Sequence, residues 1–376
     1  MSKIDELIKQ LCPDGIQYEQ LGENCEVLRG KRLTKKELHE DGNFPVFHGG
    51  LIPLGRYDKF NRSANQTMVI NTGSVGEVVW SSVDFWSSDG TFVIKTSDTI
   101  NDRFLYYFLK TQESYLKTQK REGGVPTIDR QTVENLSIPI PPLAIQEEIV
   151  NILDTFTTLE AELEAELEAR KKQYTFYRDS LLSFEGKDVE WKKIKQVFRR
   201  IKGTSITATK MKEIQNDDGE IRVFAGGKTV VSAREIDIPN ANITRVPSVL
   251  VQSRGVIDFV YFDKSFTFKN EMWAYTIDNK TTVKYLYYYL KNSTQYFRDA
   301  ASGMGALPQI SLPVTEDFVI PIPSISEQER IVEILDKFDV LVNDISTGLP
   351  AEIEARRKQY EYYRNQLLTF NNVSNE

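Results

Sequence analysis

Few side chains in this 376-residue chain are of a type and spacing that could do catalysis. The only cysteines are Cys12 and Cys25 and the only histidines His39 and His48, which excludes a disulfide framework and argues against a Cys/His zinc centre. Gly226-Gly227-Lys228-Thr229 looks like the end of a phosphate-binding loop, but the glycine that such a loop needs before Gly227 is Arg222. Pro141-Pro142 stands between Ile140 and Leu143, which lacks the Asn/Asp-Pro-Pro-aromatic form that holds a flipped base for amino-methylation. Gly303-Met304-Gly305 runs on to Pro308 and completes no dinucleotide fingerprint. Glu190-Trp191-Lys192 could open a nuclease reading, yet it has no evident partner aspartate. What remains is the chemistry of binding.

Binding a polyanion takes cations. The first half of the chain offers Arg29, Lys31, Arg32, Lys35, Lys36, Arg56, Lys59, Arg62, Lys120 and Arg121. The second offers Arg199, Arg200, Lys202, Lys210, Lys228, Arg234, Arg245, Arg254, Lys264 and Lys269. Any one of these is as readily ordinary solvated surface. The clusters Arg29–Lys36 and Arg199–Lys210 are read as facing DNA, because they are polar, loop-like, and equivalently placed in the two halves. Each contains a glycine, Gly30 or Gly203, that would let backbone approach a phosphate. Two glycine-bearing loops, 121–126 and 302–309, are equivalent in position but unlike in sequence, and Met304 and Gln309 are candidate contacts there. Tyr106, Tyr107, Tyr287 and Tyr288 read as core rather than as base-stacking platforms.

The formal net charge of −7 seems to oppose such a partner. Counted by segment, residues 139–185 carry −6 and 323–376 carry −4, whereas 186–322 carry +5 and 17–138 carry −1. Acidity is therefore confined to segments that need not meet phosphate.

These residues are positioned by a duplication with a spacing near ~180 residues, far too long for a solenoid unit. PVFHGG at 45–50 answers RVFAGG at 222–227, and RFLYYFLK at 103–110 answers KYLYYYLK at 284–291. IPIPPLAIQEEIVNILDTF at 138–156 answers IPIPSISEQERIVEILDKF at 320–338, and EARKKQYTFYRDSLLSF at 168–184 answers EARRKQYEYYRNQLLTF at 354–370. Each half opens with short β-prone runs such as MVINTG at 68–73 and PSVLVQS at 247–253, followed by a helix at 101–119 or 282–299. Each half closes with a long amphipathic helix. The first starts after Pro141-Pro142 and extends to Phe184, with Ile149, Leu153, Phe156, Leu163, Leu167, Tyr174 and Tyr177 at helical spacing. Its apolar stripe needs a partner, and the copy at 324–370, with Ile331, Leu335, Phe338, Tyr360 and Tyr363, supplies one in an antiparallel pair. Gly348-Leu349-Pro350 should kink or break that second helix. The expected organisation is 1–140, 141–185, 186–322 and 323–376: domain, helix, domain, helix.

The pattern PIPxxxxxQEEIVxILDxF…EARKKQYxxYRxxLLxF, occurring twice after two unlike β-rich regions, resembles the specificity subunit of type I restriction–modification systems. The resemblance covers essentially the whole chain. It implies an α+β fold in which two tandem target recognition domains are spaced by a long antiparallel, coiled-coil-like pair of conserved helices. It implies double-stranded DNA as partner, two methyltransferase subunits docked on the helices, and restriction subunits joined through that core. S-adenosylmethionine, ATP and Mg would be held by those partners, with no cofactor on this chain and a cytoplasmic location in a bacterium or archaeon. LEAELEAELEAR at 159–170 resembles the family's tetrad repeat, which sets the gap between half-sites; DISTGLPAEIEAR at 344–356 lacks it. The principal rival is a protein-interaction scaffold that uses the same helices and binds no DNA. A self-contained methyltransferase–nuclease is a weaker one, disfavoured by the missing motifs.

Overall fold

Strand propensity and turn residues give each half the same three sheets. The computed structural model describes residues 3–121, 124–227, 229–302, 307–344 and 346–371, so Lys228 and Met304 lie outside the described residues. The chain divides into two compact units, Met1–Glu164 with Glu352–Glu376, and Ala165–Ala351. In the first, a four-stranded antiparallel sheet has the order Cys25–Arg29, Thr91–Thr96, Gln66–Ile70, Val78–Ser81. A three-stranded sheet of Gly55–Tyr57, Phe44–Phe47 and Trp86–Ser87 has its last two strands parallel. A two-stranded ladder, Tyr18–Gln20 with Ser137–Pro139, closes the unit where the chain enters and leaves it.

The second unit repeats this order. Its four strands are Arg199–Lys202, Trp273–Thr276, Ser248–Gln252 and Asp258–Phe262. Its three are Val230–Ala233, Ile221–Phe224 and Phe266–Phe268, the last pair again parallel. Its ladder is Glu190–Lys193 with Val319–Ile322, which places Glu190-Trp191-Lys192 in a strand.

The helices expected at 101–119 and 282–299 each form as two. Asp102–Thr111 is followed by Glu113–Thr118, and Lys280–Asn292 by Thr294–Asp299. Asn101 and Asn279 start them, each side-chain oxygen accepting two of the first backbone N–H groups. Tyr107 and Tyr288 are buried, and Tyr106 and Tyr287 half-buried, as core residues should be.

One helix spans Leu143–Leu181. In the first unit its early turns bury Ile145, Ile149 and Leu153 against Phe104, Leu105, Phe108 and the returning Leu368. Phe156 packs on Tyr360 and stacks on Tyr363, with centroids 6.5 and 5.5 Å apart, and Arg357 bridges to Glu160 and Glu164. In the second unit Tyr174 and Tyr177 pack on Phe338 at 6.1 and 5.5 Å, and Leu182 joins Ile331 and Leu335 in one apolar cluster. Burial pushes the Tyr174 phenol up to about 12. In both units the pairing runs antiparallel. Leu163 and Leu167 are half-buried, while Leu159, four residues before Leu163, is exposed.

The expected second long helix is two, Ile325–Asn343 and Leu349–Leu367. The break is built locally. The Asp344 carboxylate accepts from the backbone N–H groups of Ser346 and Thr347, and a side chain at Gly348 would collide with the Val340 carbonyl. Among the described residues no helix is long and apolar enough to cross a membrane, and no group of His, Cys, Asp and Glu could hold a metal ion.

Candidate nucleic-acid interface

Strand order fixes which loops meet. In the first unit the Lys31 N–H donates to the Ser87 carbonyl (2.9 Å), Ser88 N–H to Phe47 (2.9 Å), Asn71 N–H to Gly90 (3.0 Å) and Ile128 N–H to Asn71 (3.0 Å). These bonds link the loops after Arg29, Phe47, Ile70 and Ser87, and the segment 124–128, into one edge. The second unit makes the equivalent edge. Thr204 N–H donates to Phe268 (2.6 Å), Gly227 N–H to Arg254 (3.4 Å), Ile310 N–H to Ser253 (2.9 Å), and the Ser253 hydroxyl to the Glu271 carbonyl. Gly73 and Gly255 stand at matching turns with φ of 92° and 78°.

The backbone of the two edges corresponds while the side chains do not. Lys31 answers Thr204, His48 answers Ala225, Thr72 answers Arg254, Asp89 answers Asn270, and Thr127 answers Gln309. Arg29 and Lys202 keep a cation at the same place. In the second unit the edge is indented by two cavities of about 660 and 420 Å³, the first lined by Arg254 and Glu271, the second by Lys202 and Gln309.

The candidate cations fall into two groups. Arg29, Lys31, Arg32, Lys35, Lys36, Lys59 and Lys120 are exposed, with no side-chain partner among the described residues, as are Arg199, Lys202, Arg254 and Lys264. The others are engaged within the protein. Arg56 donates to the carbonyls of Gly42 and Asn43, and half-buried Arg62 to those of Asn61 and Arg29. Arg121 pairs with Asp129, Arg200 with Glu316, Lys210 with Glu213, Arg234 with Asp237, Arg245 with Glu235 and Lys269 with Glu271.

Two sequence expectations change here. The stretch Arg199–Lys210 is not one loop: Arg199–Lys202 is a strand and Ala208–Glu213 a helix. Lys202, paired with Trp273, reaches the loop edge, while Arg199, paired with Thr276, sits at the strand's other end. The glycines also serve a different purpose. A Cβ on Gly30 would strike the Ser88 carbonyl, and one on Gly203 the carbonyls of Phe268 and Lys269, so both admit a neighbouring loop rather than a phosphate.

Sequence reasoning missed how each globular part is fixed to its helix. Asp154 accepts from Arg103 Nε (2.8 Å) and the Tyr107 hydroxyl; Asp336 accepts from Lys284 Nζ (2.8 Å) and the Tyr288 hydroxyl. Burial first, and then the carboxylate, hold both phenols above the ordinary tyrosine range. Buried Gln146 accepts from Asn101 N–H (2.7 Å) and donates to the carbonyls of Thr99 and Pro141; buried Gln328 donates to Pro323. The signal was available, since ILDTF/ILDKF and RFLYYFLK/KYLYYYLK repeat the aspartate, the tyrosine and a cation in register.

Residues 13–169 and 186–355 each match the family model of the type I restriction modification DNA specificity domain. The chain is 34% identical to the type I restriction enzyme EcoR124I/EcoR124II specificity subunit of Escherichia coli, over 98% of each chain. It is 27% identical to a putative type I restriction enzyme specificity subunit of Haemophilus influenzae, over 94% of this chain and 96% of that one. Among solved structures, the type I restriction-modification S subunit from M. genitalium shares the fold with a TM-score of 0.68, at 19% identity, over 94% of this chain and 96% of that one.

Proposed function

The chain belongs to the type I restriction–modification DNA specificity family, and from that premise we propose that it reads a bipartite DNA target, one half-site per loop edge, and sets partner subunits on it. The observation that carries this reading is the pair of edges with corresponding backbones and different side chains. A common frame docks two readers alike on the duplex, and unlike side chains make them ask for unlike bases. The helix pair, with exposed aromatics such as Phe176 and Tyr362, is the dock for two methyltransferase subunits, through which restriction subunits join. S-adenosylmethionine, ATP and Mg belong to those partners, and the complex works in the cytoplasm, where the DNA is.

The unpaired cations of the Lys31–Lys36 stretch supply non-specific affinity. Replacing Lys31, Arg32, Lys35 and Lys36 with Ala is expected to weaken DNA binding at every sequence. The log–log salt slope should flatten by up to about one unit per lost phosphate contact, without altering the sequence read. A gel-shift salt series, with the chain alone and with its methyltransferase partner, tests this. An unchanged slope places the cluster away from DNA, and no shift in either form favours the protein scaffold that binds no DNA.

The chain contributes recognition and no chemical step. Highly purified chain, free of partners, is expected to show no methyltransfer, DNA cleavage or ATP hydrolysis above blank. Turnover that co-purifies with this chain through successive columns would refute it.

A further inference from the structure

At each loop edge three chain segments come together through isolated antiparallel bridges. In the second unit Gln309 bridges Arg254 on one side and Ser302 on the other; in the first, Thr127 bridges Thr72 and Arg121. In the second unit both bridges carry their full antiparallel bond pairs. Ser302 and Gln309 exchange both backbone bonds, at 2.9 and 3.1 Å, and Gly255 N–H donates to the Pro308 carbonyl at 2.9 Å. Residues opposite one another in such a ribbon point to the same face, with Cβ atoms about 5 Å apart. Alternation identifies that face. The neighbours Ile310 and Ser253 are buried, and so are Ile128 and Asn71, so Gln309 with Arg254, and Thr127 with Thr72, point the other way. Arg254, Ser302, Gln309 and Arg121 are exposed, and Arg254 has no side-chain partner among the described residues.

We infer that these two rows, Arg254–Gln309–Ser302 and Thr72–Thr127–Arg121, are the base-reading side chains of the two half-sites. The inference deepens the DNA-reading function above and rests on it. A β-ribbon enters the major groove, and the side chains of the rows suit its base edges: arginine binds guanine O6 and N7 together, glutamine binds adenine N6 and N7 together, and a threonine methyl meets the thymine methyl. Each row has a single arginine, and the two arginines stand at opposite ends. Arg254 occupies the position of Thr72, while Arg121 occupies that of Ser302. The rows therefore place a guanine requirement at opposite ends of their half-sites. Arg121 is already oriented by Asp129, whereas Arg254 meets DNA unpaired.

The test uses the full chain assembled with its methyltransferase subunits. Arg254→Lys keeps the charge and most of the stem but loses the two-pronged fork. Methylome sequencing and competition binding against duplexes substituted one base pair at a time are the readouts. Arg254→Lys is expected to relax one guanine in one half-site, cutting discrimination there by about tenfold or more, and to leave the other half-site unchanged. Gln309→Ala should relax the adjacent position of the same half-site. A charge-removing Arg254→Ala that weakens binding equally at all sequences, with a flatter salt slope, would make Arg254 a phosphate contact and overturn the inference, as would unchanged sequence preference in both Arg254→Lys and Gln309→Ala. If exchange of residues 186–322, the domain that carries Arg254 and Gln309, alters its half-site while these variants do not, the rows are wrong and bipartite reading stands; if neither alters it, the reading falls too.

Discussion

Exchanging residues 17–138 for the corresponding segment of another specificity subunit is expected to replace one half-site completely and leave the other as it was. The physical case is closure. The segment begins and ends at the ladder of Tyr18–Gln20 with Ser137–Pro139, where Ile140 N–H donates to the Gln17 carbonyl at 2.9 Å. The chain leaves the domain beside the point where it entered, so a foreign domain needs no new connection. Its sheets bury their own apolar residues, Met68, Val69, Val93 and Ile94 among them. The graft must also match the helix. The donor has to supply counterparts of Arg103 and Tyr107 for Asp154, and a backbone course at 99–101 that offers Gln146 the same N–H and carbonyl; a graft without them would lose the ties to Asp154 and leave the buried glutamine with only its Pro141 bond. Methylome sequencing of cells carrying the chimaera gives the outcome. Two half-sites changing together would show that the domains do not read independently.

The duplication, the strand runs and the helical stripe were legible because they are periodic. Alternation and 3.6-residue spacing are properties of the sequence itself, and the Ile149–Leu153–Phe156 stripe packs in the structure as its spacing requires. The cation clusters were legible only as composition. Arg56 and Lys59 are equally basic in sequence, yet one is spent on the carbonyls of Gly42 and Asn43 and the other has no side-chain partner among the described residues, and only the folded loops distinguish them. The role of Gly30 and Gly203 is hidden for the same reason, since the carbonyls that exclude a Cβ come from segments far along the chain. Thr72 and Thr127 carry no charge and no motif. They become candidates only when strand pairing sets them opposite one another, and a sequence does not state its bridges.

Inserting one further Glu-Ala-Glu-Leu after Leu167 is expected to lengthen the unread gap between half-sites and to leave both half-sites unchanged. Four residues turn a helix by about 400°, so the flanking apolar residues drift by only about 40° and stay on their stripe. The axial gain is about 6 Å, on the scale of one to two base-pair steps at roughly 3.4 Å each. The local structure tolerates the change. Leu159 is exposed, and Leu163 and Leu167 are only half-buried, so this stretch commits little apolar area to a fixed register. The returning chain is already interrupted between Asn343 and Leu349 and need not gain a turn to match. The contacts on either side, Phe156 with Tyr363 and Tyr177 with Phe338, keep their own partners. Were LEAELEAELEAR merely a strong helix former with a solvated acidic face, the insertion would shift stability or do nothing. Methylome sequencing separates these cases: the same half-sites at a wider gap support the ruler, and the same half-sites at the old gap, with methylation retained, remove it.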